Sequence, residues 1–259
     1  MNNFLQAHIK ILQKKFINPE LELRVLLKNS LIKNKEIIFS NFNINDINLF
    51  KFNSAFERRI INEPASKIFN IKSFWKYDFF VNEDVLDPRP ETEIIIESVI
   101  KLFPTKNKKL KILDMFTGSG CLAISLAKEY PNSFVVATDI SKRAIEIAKT
   151  NAKKLSCNNQ INFKNCNLIN EILDYDIITA NPPYLSEEEY AQTSKEIQLF
   201  EPKIAFIASE DGYEYYNKIA KILPSLLNKN SRAFIEIGLN QAEKTTNIFE
   251  SNNLNCLKI

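Results

Sequence analysis

The spacing of apolar positions changes period along the chain. Phe4, Leu5, Ile9, Leu12 and Phe16 recur at helical intervals, which predicts an amphipathic helix from about 3 to 17. Asn18-Pro19-Glu20 then reads as a helix start, with Asn as N-cap and Pro at the first helical position. Leu21, Val25 and Leu26 continue that second helix, and a third is predicted from 46 to 61, ended by Asn62-Glu63-Pro64. Residues 1–72 are therefore expected to form a small helical bundle domain. Phe74 to Val81 is aromatic and β-prone, and 73–92 reads as a hairpin and linker. In Asp87-Pro88-Arg89-Pro90-Glu91-Thr92-Glu93 the prolines force an extended entry to a helix running to about Phe103. Glu91 and Glu93 complement that helix dipole, while Arg89 is boxed between two prolines that fix its aim.

From Leu110 onward strands alternate with helices, which predicts a parallel, doubly wound α/β sheet over 93–259. The strands are expected at 110–115, 134–138, 161–164, 177–180 and 231–237, with helices at 121–130 and 141–155, the latter capped by Ser141. Residues 254–259 read as the start of a sixth strand.

Composition narrows this reading only a little. A chain of 259 residues suits one core domain plus an appendage, and 45% hydrophobic with 25% charged residues is ordinary for a soluble protein. The net charge of +3 argues for neither a nucleic-acid nor a membrane partner. Cysteines at 121, 157, 166 and 256 form no Cys-x-x-Cys pair, so no zinc site or disulfide framework is expected. No apolar run reaches the ~18 residues of a membrane span, and residues 1–17 lack a signal-peptide core. A cytoplasmic monomer is expected. The one histidine, His8, lies on the apolar side of the first helix and is expected to be packed rather than catalytic. Four glycines, at 118, 120, 212 and 238, stand where the backbone is expected to tolerate nothing else.

Two of those glycines lie in Thr117-Gly118-Ser119-Gly120, between a strand and a helix, where backbone can approach a ligand closely. Asp139 ends the next strand, where a carboxylate can hold a ribose hydroxyl pair. Asp114 adds a carboxylate near the cofactor amine, or caps the turn. Gly118-x-Gly120-x-x-Ala123 also satisfies a relaxed dinucleotide fingerprint, so a nicotinamide-dependent dehydrogenase remains open. Nothing downstream resembles a hydride-transfer site. The stretch with the most chemistry is Asn181-Pro182-Pro183-Tyr184, after the apolar run 177–180. Two prolines cannot continue a ladder, so a stiff ledge must form at the strand's carboxyl end. It offers an Asn side-chain acceptor, proline carbonyls and a flat ring, and two adjacent acceptors match a planar NH2 group.

With the glycine loop, Asp139 and Asn181-Pro182-Pro183-Tyr184 in this order, the chain resembles a class I (Rossmann-like) methyltransferase acting on a planar nitrogen with S-adenosyl-L-methionine. The 87–93 stretch sharpens the match to the family of protein-(glutamine-N5) methyltransferases that modify class I peptide chain release factors. Arg59, Glu63-Pro64, Glu201-Pro202, Asp211-Gly212, Glu236-Ile237-Gly238 and Gln241 match it too, so the resemblance covers nearly the whole chain. It implies methylation of the glutamine side-chain amide in a Gly-Gly-Gln motif. Asn181 and the Pro182 carbonyl would each accept one amide N–H, and no dedicated base is required. Tyr184, Pro183 and Arg89 would line the substrate side, and the helical domain would grip the release factor. Cofactor contacts are implied for Asp114, Phe116, Thr117, Gly118, Ser119, Gly120, Asp139, Asn167 and Asn181.

The chain departs from the family's pattern at a few positions. Phe116 stands where the family has a glycine, so the loop is expected to bend differently. Asn62 and Asn70 replace two other glycines, and Asn is the non-glycine residue most able to keep a positive φ. Asn167 stands where the family has an acid near the adenine. The family's last strand inserts between 231–237 and 254–259, so a shortened or rearranged sheet edge is expected. Competing readings are a glutamine methyltransferase for a ribosomal protein, an adenine-N6 nucleic-acid methyltransferase, and a binding protein that keeps the cofactor pocket without catalysis.

Overall fold

The computed structural model describes residues 3–32, 39–169 and 174–257. They group into two compact units, Met1–Asn70 and Ile71–Ile259.

The first unit holds α1 (Asn3–Leu12), α2 (Pro19–Asn29), α3 (Leu49–Ile60) and α4 (Ala65–Phe69). Leu5, Leu12, Leu23, Leu26, Leu27 and Phe52 are fully buried in one core. Helix α1 stops short of the predicted Ile17, because the Lys14 and Lys15 N–H groups tighten to the carbonyls three residues back, ahead of Asn18-Pro19. The Asn18 side chain accepts the Leu21 N–H at 3.2 Å and starts α2 as expected. Helix α3 begins later than 46 because Ile44–Asp46 closes its own 3-10 turn and Asn48 is the N-cap, accepting from the Lys51 N–H at 3.0 Å. Arg59 is buried, paired with Glu22 at 2.7 Å and stacked 3.9 Å from the Phe16 ring centroid. His8 is packed as expected, donating from Nδ1 to the Phe4 carbonyl at 2.7 Å with its ring against Phe56. Asn62 and Asn70 both take left-handed φ values, 69° and 54°.

The second unit opens with an antiparallel hairpin, β1 (Lys72–Phe74) and β2 (Tyr77–Phe79). Its turn residue Trp75 donates its backbone N–H to Glu93 at 2.8 Å, on α5 (Glu93–Leu102). The sheet and its helices follow as β3 (Lys111–Met115), α6 (Cys121–Glu129), β4 (Phe134–Asp139), α7 (Lys142–Lys154), β5 (Ile161–Asn165) and β6 (Tyr175–Ala180). The chain continues through α8 (Glu187–Ala191), α9 (Lys195–Phe200), α10 (Glu214–Leu226), β7 (Leu227–Ile235) and α11 (Ala242–Glu250). Among the described residues the five sheet strands are all parallel, in the order β5-β4-β3-β6-β7.

Alternation along the strands sorts side chains to the two faces. Ile112, Val135, Ala137 and Ile177 pack under α5 and α6, while Leu113, Val136, Ile178 and Ala180 pack with Ile219 and Leu223 of α10. The chain leaves β3 toward β4 and later returns to β6 on the other side of β3. The sheet's topological switch point therefore lies between the ends of β3 and β6. Met115 pairs with Ala180 in that register, so Phe116 and Asn181 leave the sheet side by side.

Two sequence expectations change at the sheet edge. Strand β7 starts at Leu227, ahead of the expected 231, and its pairing is irregular until Arg232 meets Ile177. Residues 254–257 of the expected sixth strand are not extended in any ladder, and 258–259 lie outside the described residues. Leu254 instead turns back, its N–H bonded to the Phe249 carbonyl at 3.2 Å. Among the described residues no helix is long and apolar enough to cross a membrane.

Candidate functional site

Two cavities meet at the switch point, and Asn181 lines both. The larger is walled by Phe116, Gly118, Asp139, Ile140, Asn167, Leu168, Pro183 and Tyr215. The smaller holds Arg89, Tyr184 and Glu236 with Leu86, Leu185 and Phe206.

The loop after β3 is built from inside. Asp114 is 1% exposed, and its two oxygens accept from the Thr117 and Thr179 hydroxyls at 2.6 and 2.7 Å. Burial drives its carboxyl up to about 6, against the pull of those two hydroxyls and the Ala123 N–H. These bonds fit the alternative reading of Asp114, a carboxylate that caps the turn and fastens the loop. Thr117, Ser119 and Gly120 belong to the same loop, of which Phe116 and Gly118 face the larger cavity. Gly120, at φ 81°, lets α6 start against α7: an added Cβ would lie 3.1 Å from the Ala148 Cβ. Asn151 on α7 is fully buried and spends its whole amide here. It donates to the Ser119 and Phe80 carbonyls and accepts from the Phe80 N–H.

Phe116 keeps the left-handed backbone that glycine would adopt freely, at φ 60°. A non-glycine residue held there carries strain of ~1–2 kcal/mol. Its ring sits edge-on to Tyr215, with centroids 5.1 Å apart, and closes one wall of the larger cavity. Asp139 is oriented by two backbone donors, Gly118 N–H at 2.9 Å and Ser141 N–H at 2.8 Å, one on each oxygen. Burial raises its carboxyl and these two bonds oppose the rise. Each oxygen keeps acceptor capacity for an external hydroxyl.

The ledge after β6 is pinned at both ends. The Asn181 Nδ2 donates to Thr92 Oγ1 at 3.1 Å, and Thr92 donates to Glu236 Oε2 at 2.5 Å. A carboxylate only accepts and Thr92 has one O–H, so the Thr92 oxygen must accept from Asn181. The Asn181 Oδ1 and the Pro182 carbonyl take no hydrogen bond from the described residues. On the far side, the Tyr184 carbonyl accepts from Gln241 Nε2 at 2.9 Å, and Gln241 Oε1 accepts from Gly238 N–H and the Tyr216 hydroxyl, each at 3.0 Å. The Tyr184 and Leu185 N–H groups both donate to the Phe206 carbonyl. Burial, with the Glu236 charge, pushes the Tyr184 phenol up, so it stays neutral.

Arg89 reaches the smaller cavity because Glu201, with a side chain 3% exposed, ties its segment down. Glu201 accepts from Arg89 Nη2 at 2.6 Å and from the Asp87 N–H at 2.9 Å. Pattern reading at the residue level assigned no role to Thr92, Glu201, Glu236 or Gln241. Their signal was only that they fall in stretches matching the family, since the partners that tie them to Arg89, Asn181 and Tyr184 or to each other lie 57 to 144 positions away.

Residues 92–200 match the methyltransferase small domain family. The bifunctional methyltransferase of Rickettsia typhi is 40% identical over 254 residues, covering 89% of this chain and 49% of that protein. The chain thus spans about half the length of the bifunctional relatives it matches. The release factor glutamine methyltransferase of Buchnera aphidicola is 33% identical over 252 residues, covering 96% of this chain and 90% of that one. That of Koribacter versatilis is 37% identical over 196 residues, covering 74% and 69%. Among solved structures, a SAM-dependent methyltransferase from Agrobacterium tumefaciens superposes with a TM-score of 0.50 at 16% identity, covering 71% of this chain and 58% of that one. The hMettl16 catalytic domain gives 0.51 at 18%, covering 67% and 65%. These two establish the fold, a Rossmann-like methyltransferase sheet. On its sequence relatives, the chain belongs to the release factor glutamine methyltransferase family.

Proposed function

We propose that this protein transfers a methyl group from S-adenosyl-L-methionine to the side-chain amide nitrogen of the glutamine in the Gly-Gly-Gln motif of class I peptide chain release factors. The observation that carries the reading is Asn181 at the junction of two cavities, with its NH2 committed inward and its oxygen left over. The larger cavity suits the cofactor. Phe116, Ile140 and Leu168 offer apolar walls for a base, Asn167 a polar edge, and Asp139 acceptors for a ribose diol. When bound, the cofactor supplies an electrophilic methyl group on a sulfonium centre.

The rest of the chemistry belongs to this chain. An amide nitrogen is a poor nucleophile because its lone pair is delocalised into the carbonyl. Asn181 Oδ1 and the Pro182 carbonyl each accept one of its hydrogens, which orients the nitrogen and favours positive charge developing on it. The proton leaves afterwards to solvent, and no side chain need act as base. Tyr184 presents a neutral ring to the substrate side chain, and Pro183 stiffens the ledge. Arg89, held by Glu201, marks the substrate side. The N-terminal helical unit grips the release factor, and the protein works in the cytoplasm as a monomer without nucleic acid.

The test is methyl transfer from labelled S-adenosyl-L-methionine to purified release factor, beside a Gly-Gly-Gln→Gly-Gly-Ala factor, ribosomal protein and nucleic acid. Label on the wild-type factor alone supports the reading. Label on the ribosomal protein or on adenine replaces it, and cofactor binding with no acceptor labelled reduces the protein to a binding role.

A further inference from the structure

We infer that Thr92 and Glu236 are positioning residues that fix which edge of the Asn181 amide faces the acceptor cavity, so that methyl transfer requires Glu236 to be ionised. The inference rests on the functional reading above.

Three distant segments meet in this relay. Thr92 is 2% exposed, in the 3-10 turn Pro90–Thr92 that leads into α5. Glu236 follows β7, and its backbone N–H donates to the Ala180 carbonyl at 2.9 Å, so it continues the ladder beside the ledge. Asn181 follows β6. The chain of bonds has one direction while Glu236 is a carboxylate: Asn181 NH2 to Thr92 Oγ, and Thr92 O–H to Glu236. Asn181 Oδ1 then faces outward as an acceptor. A substrate amide needs acceptors at that point, because its NH2 carries two hydrogens and no free lone pair. Protonated Glu236 brings an O–H of its own and can donate to Thr92. The Thr92 hydroxyl is then free to donate to Asn181, and the flipped amide would offer NH2 to NH2.

The surroundings set where this happens. Burial raises the Glu236 carboxyl above the usual range; bonds from Thr92 and Asn181 pull it down. Glu91, in the same turn as Thr92, adds a repelling charge, and Arg89 opposes it. Tyr184, Tyr216 and Cys121 also face Glu236, and all three are held neutral at physiological pH by burial first. Glu236 is the carboxyl bonded into this relay; Asp114 and Asp139, which burial also raises, belong to the loop after β3 and the larger cavity.

The experiment uses the full chain, with wild type, Glu236→Gln, Thr92→Val and Thr92→Ser. kcat and KM for release factor are measured against pH, with S-adenosyl-L-methionine affinity by calorimetry. Side-chain amide resonances are followed in 15N-asparagine-labelled protein, with Asn181 assigned by its loss in Asn181→Asp. Wild type should show an acid limb in kcat, and the Asn181 resonance should titrate with the same midpoint. Glu236→Gln and Thr92→Val should each lower kcat about 100-fold while cofactor affinity holds within about twofold. Glu236→Gln should remove both the acid limb and the Asn181 titration, and Thr92→Ser should recover most of the rate lost in Thr92→Val. An acid limb that survives in Glu236→Gln, or an Asn181 resonance indifferent to pH, overturns the relay. Wild-type protein that labels no release-factor glutamine overturns the functional reading instead, and the Asn181 resonance still decides the relay on its own.

Discussion

Gln241 Nε2 donates to the Tyr184 carbonyl at 2.9 Å, across 57 positions of sequence, and thereby holds the far end of the Asn181–Tyr184 ledge. Gln241 is buried and the bond part-buried, and the other end of the same amide is used twice, by Gly238 and Tyr216. Its loss would leave the half-buried Tyr184 carbonyl unpaired and the ledge free to shift. Gln241→Leu is expected to cost ~1–3 kcal/mol of stability. It should lower kcat for release factor about tenfold or more through misplaced acceptors. Chemical denaturation and steady-state kinetics check both; an unchanged kcat would remove Gln241 from the account of the site.

Gly212 approaches the same carbonyl from outside. A Cβ there would lie 2.3 Å from the Tyr184 oxygen and 2.9 Å from Gln241 Nε2, at a φ of 88°. Neither a side-chain rotation nor a small shift relieves a clash with backbone. Gly212→Ala should destabilise the protein by ~2 kcal/mol or more and reduce kcat, while leaving cofactor affinity intact. Equal melting temperatures for wild type and variant would show that the ledge is looser than drawn.

Asp114 makes stability depend on pH. Its folded carboxyl titrates at about 6, above the ordinary 3.8, because burial penalises the charge more than the Thr117 and Thr179 hydroxyls repay. For a raised carboxyl, the stabilising contribution is complete below the unfolded pKa and is lost as pH rises through the folded one. The stability of wild type relative to Asp114→Asn should therefore fall by ~2–3 kcal/mol from about pH 4 to 7 and then level off. Urea unfolding at several pH values measures it. A difference that stays flat would mean Asp114 is not desolvated.

Phe116 sets strain against packing. Replacing it with glycine relieves ~1–2 kcal/mol of left-handed backbone strain. The same change removes a half-buried ring packed on Tyr215, which is worth ~2 kcal/mol or more. Phe116→Gly should therefore change stability little, by ~1 kcal/mol either way, yet weaken S-adenosyl-L-methionine binding by opening the cavity wall. Calorimetry separates the two effects. Unweakened binding would show that the ring is only loop packing.

Much of the fold was legible in local pattern, and each success has a local cause. The helix starts at Asn18-Pro19 and Ser141 depend on a side chain reaching three residues ahead. The alternation of strands and helices after Leu110 reflects burial of both sheet faces. The positive φ at Asn62 and Asn70 follows from what Asn tolerates. The errors have causes of another kind. Helix α1 ends early through a tightened last turn, and the edge of the sheet depends on pairing between distant strands, which no periodicity encodes.

The sequence by itself determined the element order, the stiff Asn181–Tyr184 ledge and the residue types that could serve it, because proline, glycine and apolar spacing act over a few residues. Only the tertiary structure decided what those residues face. It turned Asp114 inward onto Thr117 and Thr179, and it brought Phe116 to Asn181 through the Met115–Ala180 register. It also aimed the Asn181 amide through Thr92 and Glu236, since the direction of a hydrogen bond is set by partners that only folding brings together.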